Sequence, residues 1–322
     1  MRVVQKDSIA AASRQYTTIQ AAVNNCATMV GLSATKRCLV KIMVGTWDVT
    51  TPVVTKPYVD IEGSGDGTII RSALPVDVDL ESGVAPAQAT FIVAANSNVR
   101  ISNLRVENNA PSAPGVALLV LGTARLDGVS AVATTGGAAE GFPISAGIAV
   151  TGTSAQGVEL TGVTAGAVST GAFNRARGIF VTGGVGGVVI ARTKATATGP
   201  VQAMGVAVQG QDGTTTTVEI RDCVLDSTVS GAGYASALEV WSGATAAVAG
   251  SKIVAHDSPE GDCFGVYGDA QITASEVRTY GCLTGFAAGN AKIVSSLIQG
   301  PVKPLARVTN CGDEDFDPIP NQ

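Results

Sequence analysis

Apolar positions along this chain fall in short strands of three to six residues, each opened by a small residue. The motif recurs as Gly147-Ile-Ala-Val150, Gly178-Ile-Phe-Val181, Gly205-Val-Ala-Val208, Ala237-Leu-Glu-Val240, Gly265-Val-Tyr267 and Gly285-Phe286, with starts 20 to 32 residues apart. A second apolar strand follows most copies: Val158–Val163, Val188–Ala191, Val218–Ile220, Val248–Val254, Ile272–Val277 and Ile293–Ile298. Earlier segments around Val99–Val106 and Val129–Val132 extend the series backward. Strands this short cannot bury a face alone, but stacked as successive rungs they share one continuous core. Leucine is too scarce for a leucine-rich repeat, and helical 3.6-residue periodicity is absent from the repeats. Variable rung length, with extra residues leaving as loops at Thr134–Ser145, Gly166–Arg177 and Thr228–Ser236, predicts an all-β chain folded as a right-handed parallel β-helix.

One segment breaks the pattern. Tyr16–Cys26 reads as an amphipathic helix, with Thr17 or Thr18 as N-cap and Ile19, Ala22, Val23 and Cys26 on one face. It is expected to plug the exposed edges of the first rung. The organisation predicted is a single domain: strand and cap helix over 1–38, coils over 39–308, and an acidic, proline-stopped tail over 309–322.

Composition narrows the function classes. Glycine provides 39 of 322 residues, aromatics only 4% and charged residues 15%, so the core is built from Val, Ile, Ala and Leu. No apolar run approaches the roughly 18 residues of a membrane span, so no membrane insertion is expected. A net charge of −5 offers no basic footprint for nucleic acid. A single histidine and cysteines without CxxC spacing give no metal site, and no cofactor is expected. Gly63–Gly67 reads as a corner turn, not a nucleotide loop, and Gly183–Gly187 lacks the aspartate of calcium-binding repeats. The even count of six cysteines in a Thr/Gly-rich chain fits an extracellular or cell-surface location with disulfides. Cys26 with Cys38, and Cys263 with Cys282, are the pairs that the expected fold brings close.

Tyr16-Thr-Thr-Ile-Gln-Ala-Ala-Val23, Leu39–Trp47 and Val59–Ile70 resemble the opening of pectin-lyase-fold proteins, pectinesterases especially. Lys56–Gly65 and Ser295–Val302 with Cys311 resemble bacterial right-handed β-helix repeat proteins of unassigned function. The resemblance implies the fold across most of the chain. The catalytic motifs that pectinesterases, polygalacturonases and pectate lyases carry find no counterpart in this sequence. The expectation is therefore a non-catalytic β-helix presenting a rigid face to a polysaccharide, a cell-surface glycan or a protein. The alternatives are a hydrolase or lyase of the same fold and a structural, tailspike-like subunit.

Aligning rungs on their small residue gives an outward column of Ala149, Phe180, Ala207, Glu239, Tyr267 and Ala287. The column two residues on holds Thr151, Thr182, Gln209, Trp241, Asp269 and Gly289. Glu239, Trp241, Tyr267 and Asp269 then cluster on one face, with Gln209 and Phe180 extending it. Aromatic rings beside carboxylates suit sugar binding, and Glu239 with Asp269 is the acid–base pair if the protein is an enzyme. The alternative is an ordinary solvated face. His256 and Asp257 with Glu260 and Asp262 form a second cluster, and Asp77, Asp79 and Glu81 alternate as calcium ligands would, or as an exposed strand edge does.

Overall fold

The computed structural model describes residues 1–5, 15–76, 80, 86, 88–136, 144–171, 175–211, 213–241, 243–256, 262–280, 291–299 and 307–309. Every strand pairing between named strands is parallel, and the rungs stack into an eight-stranded sheet and a 21-stranded one. The eight-stranded sheet, here sheet I, includes Val116–Val120, Ile144–Thr151, Arg175–Thr182, Gln202–Gln209, Tyr234–Val240 and Asp262–Gly268. The larger sheet bends at a corner into two faces. Sheet II precedes the corner and includes Glu159–Thr161, Val188–Ala191, Thr216–Arg221, Ala244–Ala249, Ala270–Thr273 and Lys292–Val294. Sheet III follows it and includes Thr164–Ser169, Lys194–Gly199, Val224–Val229, Lys252–His256 and Glu276–Tyr280. The coils are thus a parallel β-helix, as the rung spacing predicts. The predicted loops are shorter than expected, because strands reach Ser169 and Val229 and resume at Arg175 and Tyr234.

The bend between sheets II and III repeats one backbone state. Asn103, Gly128, Gly162, Arg192, Asp222, Gly250, Ala274 and Ser295 all hold φ between 46° and 61°. A side chain there costs about 1–2 kcal/mol of strain, which hydrogen bonds must offset. Arg192 N–H donates to Arg221 O, and Asp222 N–H to Ala249 O, both at 3.0 Å. The next residue points inward and is polar on five rungs: Thr193, Cys223, Ser251, Ser275 and Ser296. Ser251 Oγ accepts from Cys223 N–H at 3.1 Å and donates to Ala249 O at 3.0 Å. Ser275 and Ser296 repeat that pattern one and two rungs on. Burial pushes the Cys223 thiol pKa up, so it stays a neutral member of this ladder.

The small residue expected to open each strand falls fourth in the sheet I strands, and at Gly147, Gly178 and Gly205 it has a steric cause. A Cβ on Gly178 would lie 2.6 Å from Gly205 O and 2.8 Å from Thr196 N, and one on Gly147 2.6 Å from Gly166 N. Sheet I presses against the backbone of sheet III at this column. The pinch leaves a small alanine core, Ala167, Ala176, Ala197 and Ala203, beside the main aliphatic one.

The cap helix, α1, spans Ile19–Ala27, with Thr18 Oγ1 accepting from Ala21 N–H and Ile19, Ala22, Val23 and Cys26 buried. A disulfide joins Cys26 to Cys38 with Cα atoms 5.8 Å apart, tying the cap to the coil. Cys263 is also disulfide-bonded, while Cys282 and Cys311 lie outside the described residues. Among the described residues no helix is long and apolar enough to cross a membrane.

Candidate functional site

Sheet I pairs Ala149 with Phe180, Phe180 with Ala207, Ala207 with Glu239, and Glu239 with Tyr267, which is the predicted register. This column faces away from the coil interior, yet most of it is not at the surface. Phe180 is 0% exposed and Glu239 1%, while Gln209, Trp241 and Tyr267 are half-buried. A second apolar cluster forms on this outer side, mostly from the sheet's own outward residues. Val76 and Leu80 belong to it, together with Ile92, Leu119, Phe180 and Met204. The expectation of an open face at Glu239 and Phe180 is therefore corrected: alternation sets the side of a strand, not whether solvent reaches it.

On the same side lies a polar group in which Glu239 is joined by two residues that the sequence pattern did not single out, Tyr234 and Arg177. Tyr234 Oη donates toward the Glu239 carboxylate, 3.0 Å from Oε1 and 3.3 Å from Oε2. The guanidinium of the fully buried Arg177 sits 4.2 Å from the Phe180 ring centroid and 4.7 Å from that of Trp241. Burial first, and then the Glu239 charge and hydrogen bond, raise the Tyr234 pKa well above the usual phenol range, opposed by Arg177 and Arg175. Tyr234 also meets Phe264 edge-on at 6.1 Å, and Phe264 meets Tyr267 at 5.4 Å. Arg177 had a signal in the sequence. Its column reads Ala146, Arg177, Met204, Ser236 and Phe264, so a lone charge stands in an otherwise uncharged file.

Asp269 leaves this group altogether. Gly268, at φ 99°, ends the sheet I strand and breaks the period-two alternation, so Asp269 turns onto the outer face of sheet II. The predicted acid–base pair is not formed: Glu239 is buried over sheet I while the exposed Asp269 lines a groove on sheet II.

That groove has a volume of about 720 Å³. Its floor follows the outward column Val189, Glu219, Ala247, Gln271 and Lys292, paired rung to rung, with Thr217, Thr245 and Asp269 alongside. Ala247 is the smallest member. Glu219 and Gln271 stand one rung to either side of it, so their backbones are about 10 Å apart across a notch at roughly 4.8 Å per rung. The Arg221 Nε–H donates to Glu219 Oε1, and that bond holds the carboxyl below its usual pKa. The groove was legible as the middle residue of each buried–outward–buried triplet, such as Val218-Glu219-Ile220 and Ala270-Gln271-Ile272.

Elsewhere, His256 Nε2 lies 3.6 Å from Asp226 Oδ1 across a rung, and its ring stacks on Tyr280 at 5.0 Å. Asp257, Glu260, Asp77, Asp79 and Glu81 lie outside the described residues, as do Ala287 and Gly289. Among the described residues no group of three or more His, Cys, Asp or Glu side chains is placed to hold a metal ion.

No protein-family model matches the chain, and no curated protein matches it significantly. Solved structures do. A protein of Geobacillus virus E2, ORF18, superposes with a TM-score of 0.58 at 13% identity, covering 91% of this chain and 56% of that one. The A-module of the mannuronan C-5 epimerase AlgE4 from Azotobacter vinelandii gives 0.55 at 12% identity over 91% of each chain. Pectin methylesterase PemA from Erwinia chrysanthemi gives 0.51 at 11% identity, over 95% of this chain and 92% of that one. At such identities the likeness establishes the fold: this chain is a right-handed parallel β-helix of the pectin-lyase-like kind.

Proposed function

We propose that the protein is a secreted or surface-exposed, non-catalytic β-helix that binds a glycan along the outer face of sheet II. The observation that carries this reading is the notch over Ala247, an open seat on a rigid sheet edged by hydrogen-bonding side chains. Glu219, Asp269, Gln271, Thr217 and Thr245 offer carboxylate, amide and hydroxyl partners for sugar hydroxyls, and small residues let a ring approach the strand backbone. Hydrolysis of a glycosidic bond by a carboxyl pair needs one carboxyl protonated and poised as an acid. Glu219 is held ionised by Arg221, which suits an acceptor of hydrogen bonds and not a proton donor. The disulfide between Cys26 and Cys38 supports an oxidising location. The polysaccharide-related names of the epimerase and the methylesterase support a polysaccharide partner.

A matched pair of substitutions tests the seat. Ala247 and Ala249 are both exposed, two residues apart on one strand, and only Ala247 lines the groove. In affinity electrophoresis against a panel of polysaccharides, Ala247→Trp is expected to weaken binding at least about tenfold and Ala249→Trp to leave it unchanged. Equal binding by both variants, or no retardation by any polysaccharide, overturns the reading.

A further inference from the structure

Resting on the glycan reading above, we infer that the sheet II groove holds its glycan in single file along the coil axis, one sugar to a rung, and so selects straight, β-1,4-linked chains. The outward residues that line the groove fall in only two columns, one from Gly187 to Asp269 and the other from Val189 to Lys292. Along the stack the second column crosses five rungs, about 19 Å at roughly 4.8 Å per step. Along a strand the two columns stand two residues apart, about 7 Å. The seat is thus far longer across the strands than along them, which fits a chain one ring wide that crosses the strands. Its boundaries agree. Beyond Val189 the column is filled by Glu159, whose Oε2 meets Arg125 Nε at 3.6 Å. In the next column along the strand, Arg221 bends onto Glu219 and stays out of the lining.

The hydrogen-bonding groups repeat with the rungs. Thr217 pairs with Thr245 in the first column, and Glu219, Ala247 and Gln271 follow one another in the second. Thr217 Oγ1 accepts from Gly187 N–H at 3.1 Å, which leaves its own hydroxyl hydrogen to donate to a ligand. A polymer can reuse such a ladder only if its own repeat matches the rung. An extended β-1,4-linked pyranose chain carries equatorial linkages at both ends of each ring, so it runs straight and advances by close to one rung per sugar. An α-1,4-linked glucan coils and a β-1,3-linked glucan winds, so both leave the line of the groove within a few sugars. The selection rests on shape and repeat, not on the charge of the lining.

Oligosaccharides that differ in linkage and length provide the test. Cello-, manno- and chito-oligosaccharides form the straight set, and malto- and laminari-oligosaccharides the bent one. In titration calorimetry of the intact protein, the best straight series is expected to gain about threefold or more per added sugar, the worth of one net hydrogen bond, and to level off at about five sugars. Both bent hexamers are expected to bind at least about tenfold more weakly than the best straight hexamer. Val189→Trp fills one end of the groove and is expected to end the gain about one or two sugars earlier, while Ala249→Trp, one column outside the lining, leaves the series unchanged. A bent hexamer that binds as tightly as the best straight one overturns the rung-matched chain while leaving the glycan seat intact. So does a straight series that levels off at two sugars, or one shortened by Ala249→Trp and not by Val189→Trp. Silence from every oligomer overturns the rung-matched chain, and silence from the polysaccharide panel as well overturns the seat itself.

Discussion

The outward columns of sheets I and II come from the same alternation along stacked strands, yet one is shut and the other open. On sheet I, Ala149, Phe180, Ala207 and Glu239 are buried, the first three in an apolar cluster that Val76 and Leu80 join from outside the sheet. On sheet II, Ala247, Gln271 and Lys292 are exposed along a groove. Sheet I is gripped from both sides, inside by the glycine column against sheet III and outside by the aromatic and charged group around Tyr234. Among the described residues, the outward side chains of sheet II such as Thr217, Thr245, Ala247 and Gln271 stand exposed. An aromatic residue beside a carboxylate is thus no guide to exposure on this chain. Here that combination marks a largely buried network, while the accessible groove is lined by Ala, Thr, Gln and Glu among others.

The sharpest way to break the contrast is to attack the inner grip. Gly178→Val places a branched side chain where the Gly205 carbonyl and the Thr196 amide already stand within 3 Å of a Cβ. It is expected to cost about 3 kcal/mol or more, read as a drop in urea midpoint with loss of cooperative unfolding. The outer grip comes next. Tyr234→Phe deletes the hydroxyl that donates to the buried Glu239 carboxylate, and about 2 kcal/mol should be lost in the same denaturation.

The same residue sets an alkaline limit. Its folded pKa is raised above the ordinary value of 10.0, so the stabilisation is fully present below about pH 10 and declines as pH rises beyond it. Wild-type stability should therefore fall more steeply above pH 10 than that of Tyr234→Phe, and identical slopes would count against the buried hydroxyl. At the corner between sheets II and III, Ser251→Ala removes the acceptor of the Cys223 N–H. It is expected to cost about 1 kcal/mol. Gln271→Ala, on the open face, should change stability by no more than about 0.5 kcal/mol while weakening the glycan. A destabilisation as large as that of Tyr234→Phe would erase the distinction between the two faces.

Much of the architecture was legible from residue order. The recurring small residue of the sheet I strands, the helix after Thr18 and the pairing of Cys26 with Cys38 follow from local sequence patterns, although the strands begin three residues before that small residue. So does the register of Phe180, Glu239 and Tyr267, because the rungs align on that small residue. The corner ladder of Thr193, Cys223, Ser251, Ser275 and Ser296 was written as plainly, but short polar residues in turns have many uses. Their common inward direction shows only once the rungs are stacked.

The site was legible only in part. Period-two alternation fixed that Glu239 and Tyr267 share a side, since successive side chains of a strand must point oppositely. It could not reveal that Val76 and Leu80, more than a hundred residues away in sequence, belong to a layer over that side of sheet I. Nor could it place Asp269, whose direction depends on the 99° φ of Gly268 at the end of the strand. Sequence by itself determined the rung, the register and the chemistry each residue carries, because these depend on neighbours along the chain. Tertiary structure alone decided which outward columns meet water, because exposure depends on what distant segments pack above them.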